Sequence, residues 1–154
     1  MANFSREEIQ RALDAHRRIN ARADAREVGR EALAEMFTED ATFIDPAWGR
    51  FTGREDIRRF MRDSMQGLDD WSFPVMWTLI DGNRVIIKHM NRLPGQRPDG
   101  TYYEVPIIST LEYAGNGKFS YEEDILNMAH LTEVIVESGW TPGPDMNFPE
   151  KVVR

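Results

Sequence analysis

The 154-residue sequence contains no cysteine. This absence excludes disulfide bonds, thiolate nucleophiles and cysteine-ligated metal sites. The histidines, His16, His89 and His130, are scattered along the chain without the spacing of a metal-binding motif. Glycine-rich phosphate-binding motifs are also missing. We therefore expect neither a metal ion nor a cofactor.

Basic clusters and long apolar runs are missing as well. The net charge is −7, and basic residues gather no further than in pairs such as Arg17-Arg18. An acidic surface disfavours nucleic acids and anionic bilayers. No segment approaches the roughly 20 apolar residues of a membrane span, and the first residues lack the pattern of a secretory signal. We expect a cytoplasmic protein with neither nucleic-acid nor membrane partners.

What is present fits one globular domain. A chain of this length buries roughly 70% of its unfolded surface, which is enough for a core and a cavity. Hydrophobic residues make up 41% and charged residues 29% of the sequence, both ordinary values. We place the domain at residues 1–138. The last segment, residues 139–154, contains three prolines and is predicted to be an extended tail.

The first half of the chain has helical patterns. Ser5 and Glu8 form a capping box that predicts a helix start, because each side chain can satisfy an amide at the helix N-terminus. A second helix is predicted from about Ala25 to Phe37, and a short strand from Ala41 to Asp45. A third helix is predicted to begin near Gly53.

From Trp71 onward, apolar residues alternate with polar ones. Short turns separate the alternating segments, so consecutive strands must be antiparallel. Helices that precede such a sheet must pack on one of its faces, which predicts an α+β fold with a curved sheet around a pocket. A last helix is predicted over Ala129–Ser138. The four predicted strands are Trp71–Ile80, Arg84–Leu93, Thr101–Tyr113 and Lys118–Asn127.

Several segments together resemble the SnoaL-like, or nuclear-transport-factor-two-like, superfamily. They are Met36–Pro46, Phe51–Ile57, Val105–Tyr113 and Gly115–Phe119. The resemblance covers about residues 5–130. It implies a cone-shaped, mainly antiparallel (mixed) sheet on three N-terminal helices, and a homodimer formed through the open sheet face. The superfamily includes ketosteroid isomerases, limonene epoxide hydrolases, polyketide cyclases and non-catalytic transport factors, so fold alone does not define function.

Asp45 is the first candidate catalytic residue. It precedes Pro46 in the same context as the general base of the ketosteroid isomerases that the sequence resembles. A carboxylate at the edge of an apolar cavity is desolvated, which raises its pKa and makes it a usable base. The alternative is that Asp45 only caps the turn formed by residues 46–49.

The isomerase resemblance is incomplete at two further positions. The acid of the isomerase oxyanion hole corresponds to Ile108, and the hydrogen-bonding tyrosine of the first helix falls near Ala15 or His16. Without both donors an enolate would be poorly stabilised, unless His16 substitutes. The resemblance therefore does not imply ketosteroid isomerisation, and we expect His16 and Ile108 to contact the substrate instead.

The epoxide-hydrolase resemblance points to the last two strands. An acid of the hydrolase relay corresponds to Asp124, and the Arg-x-Asp of another strand corresponds to His89 and Asn91. The residues that hold the hydrolytic water correspond to Phe43 and Asp45. The arginine position keeps a basic residue, but the central carboxylate has become an amide. This leaves an acid–base pair of His89 with Asp45 or Asp124 as the expected chemistry.

Each of these assignments has a structural alternative. Glu123 and Asp124 must face opposite sides of a strand, so Asp124 is either in the pocket or solvated. His89 and Asn91 share one face, and a lone histidine on an apolar face is often structural. We expect His89, Asn91 and Asp124 to form one polar cluster in the pocket.

The expected pocket wall is apolar. Its candidate substrate contacts are Phe43, Trp48 and Phe60, together with Trp71, Trp77, Met61, Met65, Met76, Met90 and Met128 as further lining. The sequence thus predicts a cofactor-free acid–base enzyme, an isomerase, cyclase, dehydratase or hydrolase, for a small apolar molecule such as a terpenoid, steroid or polyketide. The alternative is a non-catalytic ligand-binding or protein-interaction module.

Overall fold

The structure is a computed structural model, and it describes residues 3–149. Helix α1 spans Arg6–Asp24 and begins at the predicted cap, where Ser5 Oγ accepts a 3.1 Å hydrogen bond from the Glu8 amide. Its inner side buries Ile9 and Leu13, as the helical spacing predicted. The capping signal therefore located this helix correctly.

The predicted second helix is wrong in type and length. Only a 3₁₀ helix forms, over Arg30–Met36, and it lacks a side-chain cap. Arg26 takes a left-handed backbone conformation with φ 61°, which ends the preceding helical turn. Strand β1 then begins at Phe37 and runs to Asp45, so residues 38–40 belong to the strand rather than to a helix stop.

Within residues 3–149, six strands form one mixed sheet in the order β2-β1-β6-β5-β4-β3. Only β1 and β6 pair in parallel, and the other neighbours are antiparallel. The four long strands match the predicted meander, whereas the short β2 was not predicted. The α+β class with a curved mixed sheet is confirmed. The strands after β1 are β2 (Gly49–Thr52), β3 (Val75–Asp81), β4 (Arg84–Gln96), β5 (Tyr102–Gly115) and β6 (Lys118–Leu126).

Two further helices complete the fold, α2 over Arg54–Ser64 and α3 over Met128–Ser138. Gly53 precedes α2 with φ 92°, a conformation that favours glycine. No helix within residues 3–149 is long and apolar enough to cross a bilayer. Of the predicted tail, residues 150–154 lie outside the described residues.

Buried apolar residues fall into two clusters. The first cluster joins α1, α2, the 3₁₀ helix and the sheet, with Tyr113, Phe37 and Phe119 among its largest fully buried members. The second cluster is smaller and joins the segment before β3 to β4, β5 and α3. Its buried members are Trp71, Leu93, Val105, Leu131 and Val134.

The segment after α3 packs on the second cluster. Trp140 meets Trp71 edge to face at 5.2 Å between ring centroids. Asn147 Nδ2 donates to the Asp63 carbonyl at 2.9 Å and to Gln66 Oε1 at 2.7 Å. Residues 139–149 are therefore held against the end of α2.

Candidate functional site

A cavity of about 340 Å³ lies between the sheet and the helices. This volume is within the range of small-molecule sites in proteins. Most of its wall is apolar, from both hydrophobic clusters and from the segment after α3. Aromatic lining comes from Phe43, Trp48, Phe60, Trp71, Phe73 and Trp140.

A row of polar side chains crosses the sheet side of this cavity. Ser109 on β5 pairs directly with Asp124 on β6, and its hydroxyl donates to Asp124 Oδ1 at 2.5 Å. The same hydroxyl is 2.8 Å from His89 Nε2 on β4. All three residues line the cavity, and Ser109 is fully buried. The row therefore links an imidazole to a carboxyl group through one hydroxyl.

The row defines the tautomer of His89 when Asp124 is ionised. A serine hydroxyl has one proton, and here it goes to the Asp124 carboxylate. His89 Nε2 must then carry a hydrogen and donate it to Ser109 Oγ. When Asp124 is protonated, the direction of both bonds can reverse, so the row couples the protonation of Asp124 to the tautomer of His89.

Glu122 adds a second carboxyl group beside Asp124. The two residues are two positions apart on β6, so they share a face, and Glu122 is buried. Burial and then the neighbouring charge of Asp124 raise the pKa of Glu122 well above its usual range. Burial also raises the pKa of Asp124 to about 7, against the Ser109 hydrogen bond and with the charge of Asp45. The pair is thus poised to exchange a proton near neutral pH.

The imidazoles in the wall are neutral. Burial lowers the pKa of His89 to about 3, with a further lowering from the charges of His16 and Arg30. Burial and the Arg30 charge lower the pKa of His16 to about 4. Arg30 itself is held by Asn20 Oδ1 and Asp24 Oδ1, each at 2.5 Å. Burial, aided by this fixed positive charge, therefore keeps both cavity histidines unprotonated at neutral pH.

Asp45 lines the cavity and also caps the turn that follows it. Its Oδ1 accepts 2.8 Å hydrogen bonds from the amides of Ala47 and Trp48. Asp45 therefore caps the turn, as one alternative predicted, and its carboxyl group also faces the cavity, as the other required. The bonds orient the carboxyl group, and its charge acts on Asp124 across the cavity.

Most of the residues singled out in the sequence lie around this one cavity. They are Asp45, His89, Asp124, His16, Phe43, Trp48, Phe60 and Asn91. Ile108 does not line it, because strand alternation directs Ile107 and Ser109 to the cavity and Ile108 to the other face. Met76 and Trp77, expected in the lining, are exposed instead, with 54% and 46% of their surface accessible.

Among residues 3–149, five polar residues of the cavity wall were not anticipated from the sequence: Asn20, Arg30, Ser109, Glu122 and Asn147. Glu122 could have been predicted, because residues two positions apart in a strand lie on the same face and Glu122 is two residues before Asp124. Ser109 had no such signal, because Ile107 and Ile108 are both apolar and do not define which side of the strand faces the cavity. No sequence pattern indicated Asn20 or Arg30, because the turn after α1 brings these two residues together at the cavity. Within residues 3–149, His, Asp and Glu side chains form no group of three that could hold a metal ion.

The fold and cavity define a class of protein, an α+β domain in which an open, curved mixed sheet and its helices surround an apolar pocket. Residues 15–122 match the model of the SnoaL-like domain, and the chain belongs to this family. A comparison with curated protein sequences gives no match.

Solved structures with the same fold are similar to most of this chain at low sequence identity. TerC, co-crystallised with polyporic acid, is 17% identical over 84% of this chain and 98% of its own, with a TM-score of 0.61. A putative ketosteroid isomerase from Kribbella flavida is 21% identical over 96% and 95%, with a TM-score of 0.59. An LEH-like epoxide hydrolase from M. tuberculosis is 14% identical over 85% and 91%, with a TM-score of 0.60. At these identities the likeness shows the fold.

Proposed function

We propose that this protein is a cofactor-free acid–base enzyme that acts on a small, mainly apolar molecule such as a terpenoid, steroid or polyketide. The observation that carries the proposal is Asp124. It lines an apolar cavity, has a pKa of about 7 and is hydrogen-bonded through Ser109 to His89. A carboxyl group whose pKa matches the ambient pH is the most effective general acid or base there.

In this proposal Asp124 exchanges the proton with the substrate. Glu122 stays protonated beside it, because burial and the Asp124 charge oppose its ionisation. His89 stays neutral and, when Asp124 is ionised, donates its Nε2 hydrogen to the Ser109 hydroxyl, which holds that hydroxyl on Asp124. Asp45, the base expected from the isomerase resemblance, is assigned a supporting role, since its Oδ1 is engaged by two amides.

The proposed reaction class follows from the proton exchange at Asp124. A single proton exchange at a carbon or oxygen atom serves isomerisation, cyclisation, dehydration and epoxide opening. The fold neighbours named as an isomerase and an epoxide hydrolase, and TerC with polyporic acid, support the choice of a small organic substrate.

A base-sensitive probe tests the proposal without knowledge of the substrate. Nitrobenzisoxazole loses its ring proton to a base while its N–O bond breaks, and the nitrophenolate product is coloured. We expect turnover that rises with pH to a plateau, with a midpoint near 7, as Asp124 ionises. Asp124→Asn should abolish it, because an amide cannot take the proton.

The matched control is Glu123→Gln on the same strand. Glu123 accepts a 2.8 Å hydrogen bond from Tyr121 and does not line the cavity, so turnover should persist. Equal turnover in Asp124→Asn and the parent protein would contradict the proposal and favour the alternative, a non-catalytic ligand-binding or protein-interaction module.

We further propose that the protein is a homodimer formed through the outer sheet face. Trp77, Leu79 and Ile125 are exposed there by 46%, 52% and 57% of their surface, which supports an apolar interface. The cytoplasmic location expected from the sequence stays a prediction.

A further inference from the structure

Four buried side-chain polar atoms have no hydrogen-bond partner among residues 3–149. They are Arg30 Nε, Trp71 Nε1, Asn91 Oδ1 and Glu122 Oε2. All four residues line the same cavity. Buried polar atoms in folded proteins nearly always have partners, because an unpaired one costs about 1–3 kcal/mol. Their concentration in one cavity therefore indicates that the occupant of the cavity supplies the missing partners.

Three of these atoms define what the occupant must offer. Arg30 is already bonded to Asn20 and Asp24, so the argument rests on Trp71, Asn91 and Glu122, each 6–7% exposed. The indole N–H of Trp71 needs an acceptor, and the amide oxygen of Asn91 needs a donor. A hydroxyl group is both. The Glu122 carboxyl group hydrogen-bonds to Asp124 and Ser109, and its Oε2 has no further partner, so a hydroxyl group can donate to that oxygen.

Trp71 and Asn91 lie at one end of the cavity. The bridge between Ser72 and Arg92 is antiparallel, so it places Trp71 and Asn91 at diagonal neighbouring positions on the same side. The backbone partner of Asn91 on β5 is Val105, a buried member of the second cluster. We call this pair, Trp71 and Asn91, the distal polar pair.

Glu122 lies at the opposite end of the row. The backbone partner of Glu122 on β1 is Phe43. On the other side, Glu122 pairs with Leu111 of β5, and Leu111 pairs with Val85 of β4, so Glu122 lies level with Val85. Val85 and Asn91 are six residues apart, which is roughly 20 Å along a flat strand. Sheet curvature and inward side chains shorten this span, so a ligand with about two or three linked or fused rings bridges it.

We propose that the ligand of this cavity is an elongated, mainly apolar molecule with a hydroxyl group near each end. One hydroxyl group binds at Glu122, beside the acid–base centre, and the other binds the distal polar pair. This proposal deepens the proposed function by naming the substrate class of the same site. The cavity volume of about 340 Å³ accommodates such a molecule.

A matched ligand series tests the proposal. The probes are trans-stilbene, its para-hydroxy derivative and its para,para′-dihydroxy derivative, and calorimetry gives their dissociation constants. We expect each hydroxyl group to tighten binding about tenfold, because it replaces the partners that an apolar group would leave unmade. Equal affinity for the three probes would overturn the proposal.

Two variants locate the second hydroxyl group. Trp71→Phe removes the indole N–H and Asn91→Leu removes the amide oxygen, while both keep an apolar side chain of similar size. Each should weaken the dihydroxy probe about tenfold, to the level of the monohydroxy probe, and leave the monohydroxy probe unchanged. Trp77→Phe, on the exposed outer face, should change none of the constants. If Trp71→Phe and Asn91→Leu both fold by circular dichroism and retain the tenfold preference, the distal assignment is wrong.

Failure of this proposal is distinguishable from failure of the proposed function. A hydroxyl preference without benzisoxazole turnover would reject the enzyme and keep the ligand class. Turnover with equal affinity for the three stilbenes would reject the ligand class and keep the enzyme.

Discussion

Ser109 and Asp124 face each other directly across the antiparallel pair of β5 and β6, and the serine hydroxyl donates to the aspartate Oδ1. The hydrogen bond favours the ionised form of Asp124 and opposes the effect of burial on its pKa. The same hydroxyl contacts His89. Removing it therefore changes both the acidity of Asp124 and its connection to the imidazole.

Ser109→Ala should raise the pKa of Asp124 above about 7, because burial then acts without the opposing hydrogen bond. Carbon-13 NMR titration of the aspartate carboxyl groups measures this shift. Thr110→Val is the control, since Thr110 is next in the strand and bonds to the Glu123 carbonyl rather than to Asp124. An unchanged or lower Asp124 pKa in Ser109→Ala would show that the hydroxyl does not stabilise the carboxylate.

The titratable groups of the cavity have opposing effects on stability. Between pH 4.5 and 6.5 the folded protein keeps protons on Glu122 and Asp124, whereas the unfolded chain releases them. In the same window the unfolded chain protonates His16 and His89, whereas the folded protein keeps them neutral. The two effects cancel, so these four groups together give a flat dependence of unfolding free energy on pH.

Asp124→Asn removes one of the protons held only by the folded state. Unfolding then takes up a net proton, so the unfolding free energy should rise with pH by about 1.4 kcal/mol per pH unit between pH 4.5 and 6.5, relative to the parent protein. Urea unfolding at several pH values measures this slope. Glu112→Gln, at an exposed position on β5, should keep the parent slope, and the same slope in Asp124→Asn would refute the raised pKa.

His89→Gln should produce the opposite slope. It removes a proton taken up only by the unfolded state, so the unfolding free energy should fall by about 1.4 kcal/mol per pH unit over the same window, relative to the parent protein. His130→Gln is the matched control, because His130 is exposed on α3. A slope equal to that of the parent protein in His89→Gln would mean that His89 is protonated in the folded protein as well.

Ile125→Lys tests the proposed homodimer. Ile125 is 57% exposed on the outer sheet face, so a lysine there leaves the fold intact but places a charge in the apolar interface. Sedimentation analysis should show a dimer for the parent protein and a monomer for the variant. Val136→Lys is the control, since Val136 is 76% exposed but lies on α3. A monomeric parent protein would contradict the proposal.

The strands and caps were predictable because their signals are local. The Ser5 cap and the period-two alternation after Trp71 each depend on a few neighbouring residues. The second helix failed because Arg26 adopts a left-handed conformation and Arg30 is bound by Asn20 and Asp24. The hydrogen bonds of Arg30 to Asn20 and Asp24 form only after the chain has turned at the end of α1, and no hydrophobic periodicity predicts them.

The sequence identified Asp45, Asp124 and His89 as candidate site residues, but it did not predict the hydrogen bonds that connect His89 to Asp124. Ile108 was misplaced because Ile107 and Ile108 are both apolar, so alternation alone does not say which faces the cavity. Ser109 was overlooked because a serine within an apolar strand carries no chemical signal until His89 and Asp124 are seen on either side. The row forms because of the register in which β4, β5 and β6 pair, and this register could not be predicted from the sequence.

The separation of the two hydrophobic clusters has a consequence for how this protein can evolve. The larger first cluster holds α1 and the sheet together, whereas the small second cluster, with Trp140, forms much of the far wall of the cavity. Substitutions at Leu131 or Trp140 therefore reshape the wall without reaching Tyr113 or Phe119. New ligand preferences can therefore arise by substitutions in the second cluster, while the row of Ser109, His89 and Asp124 and the core of the first cluster are inherited unchanged.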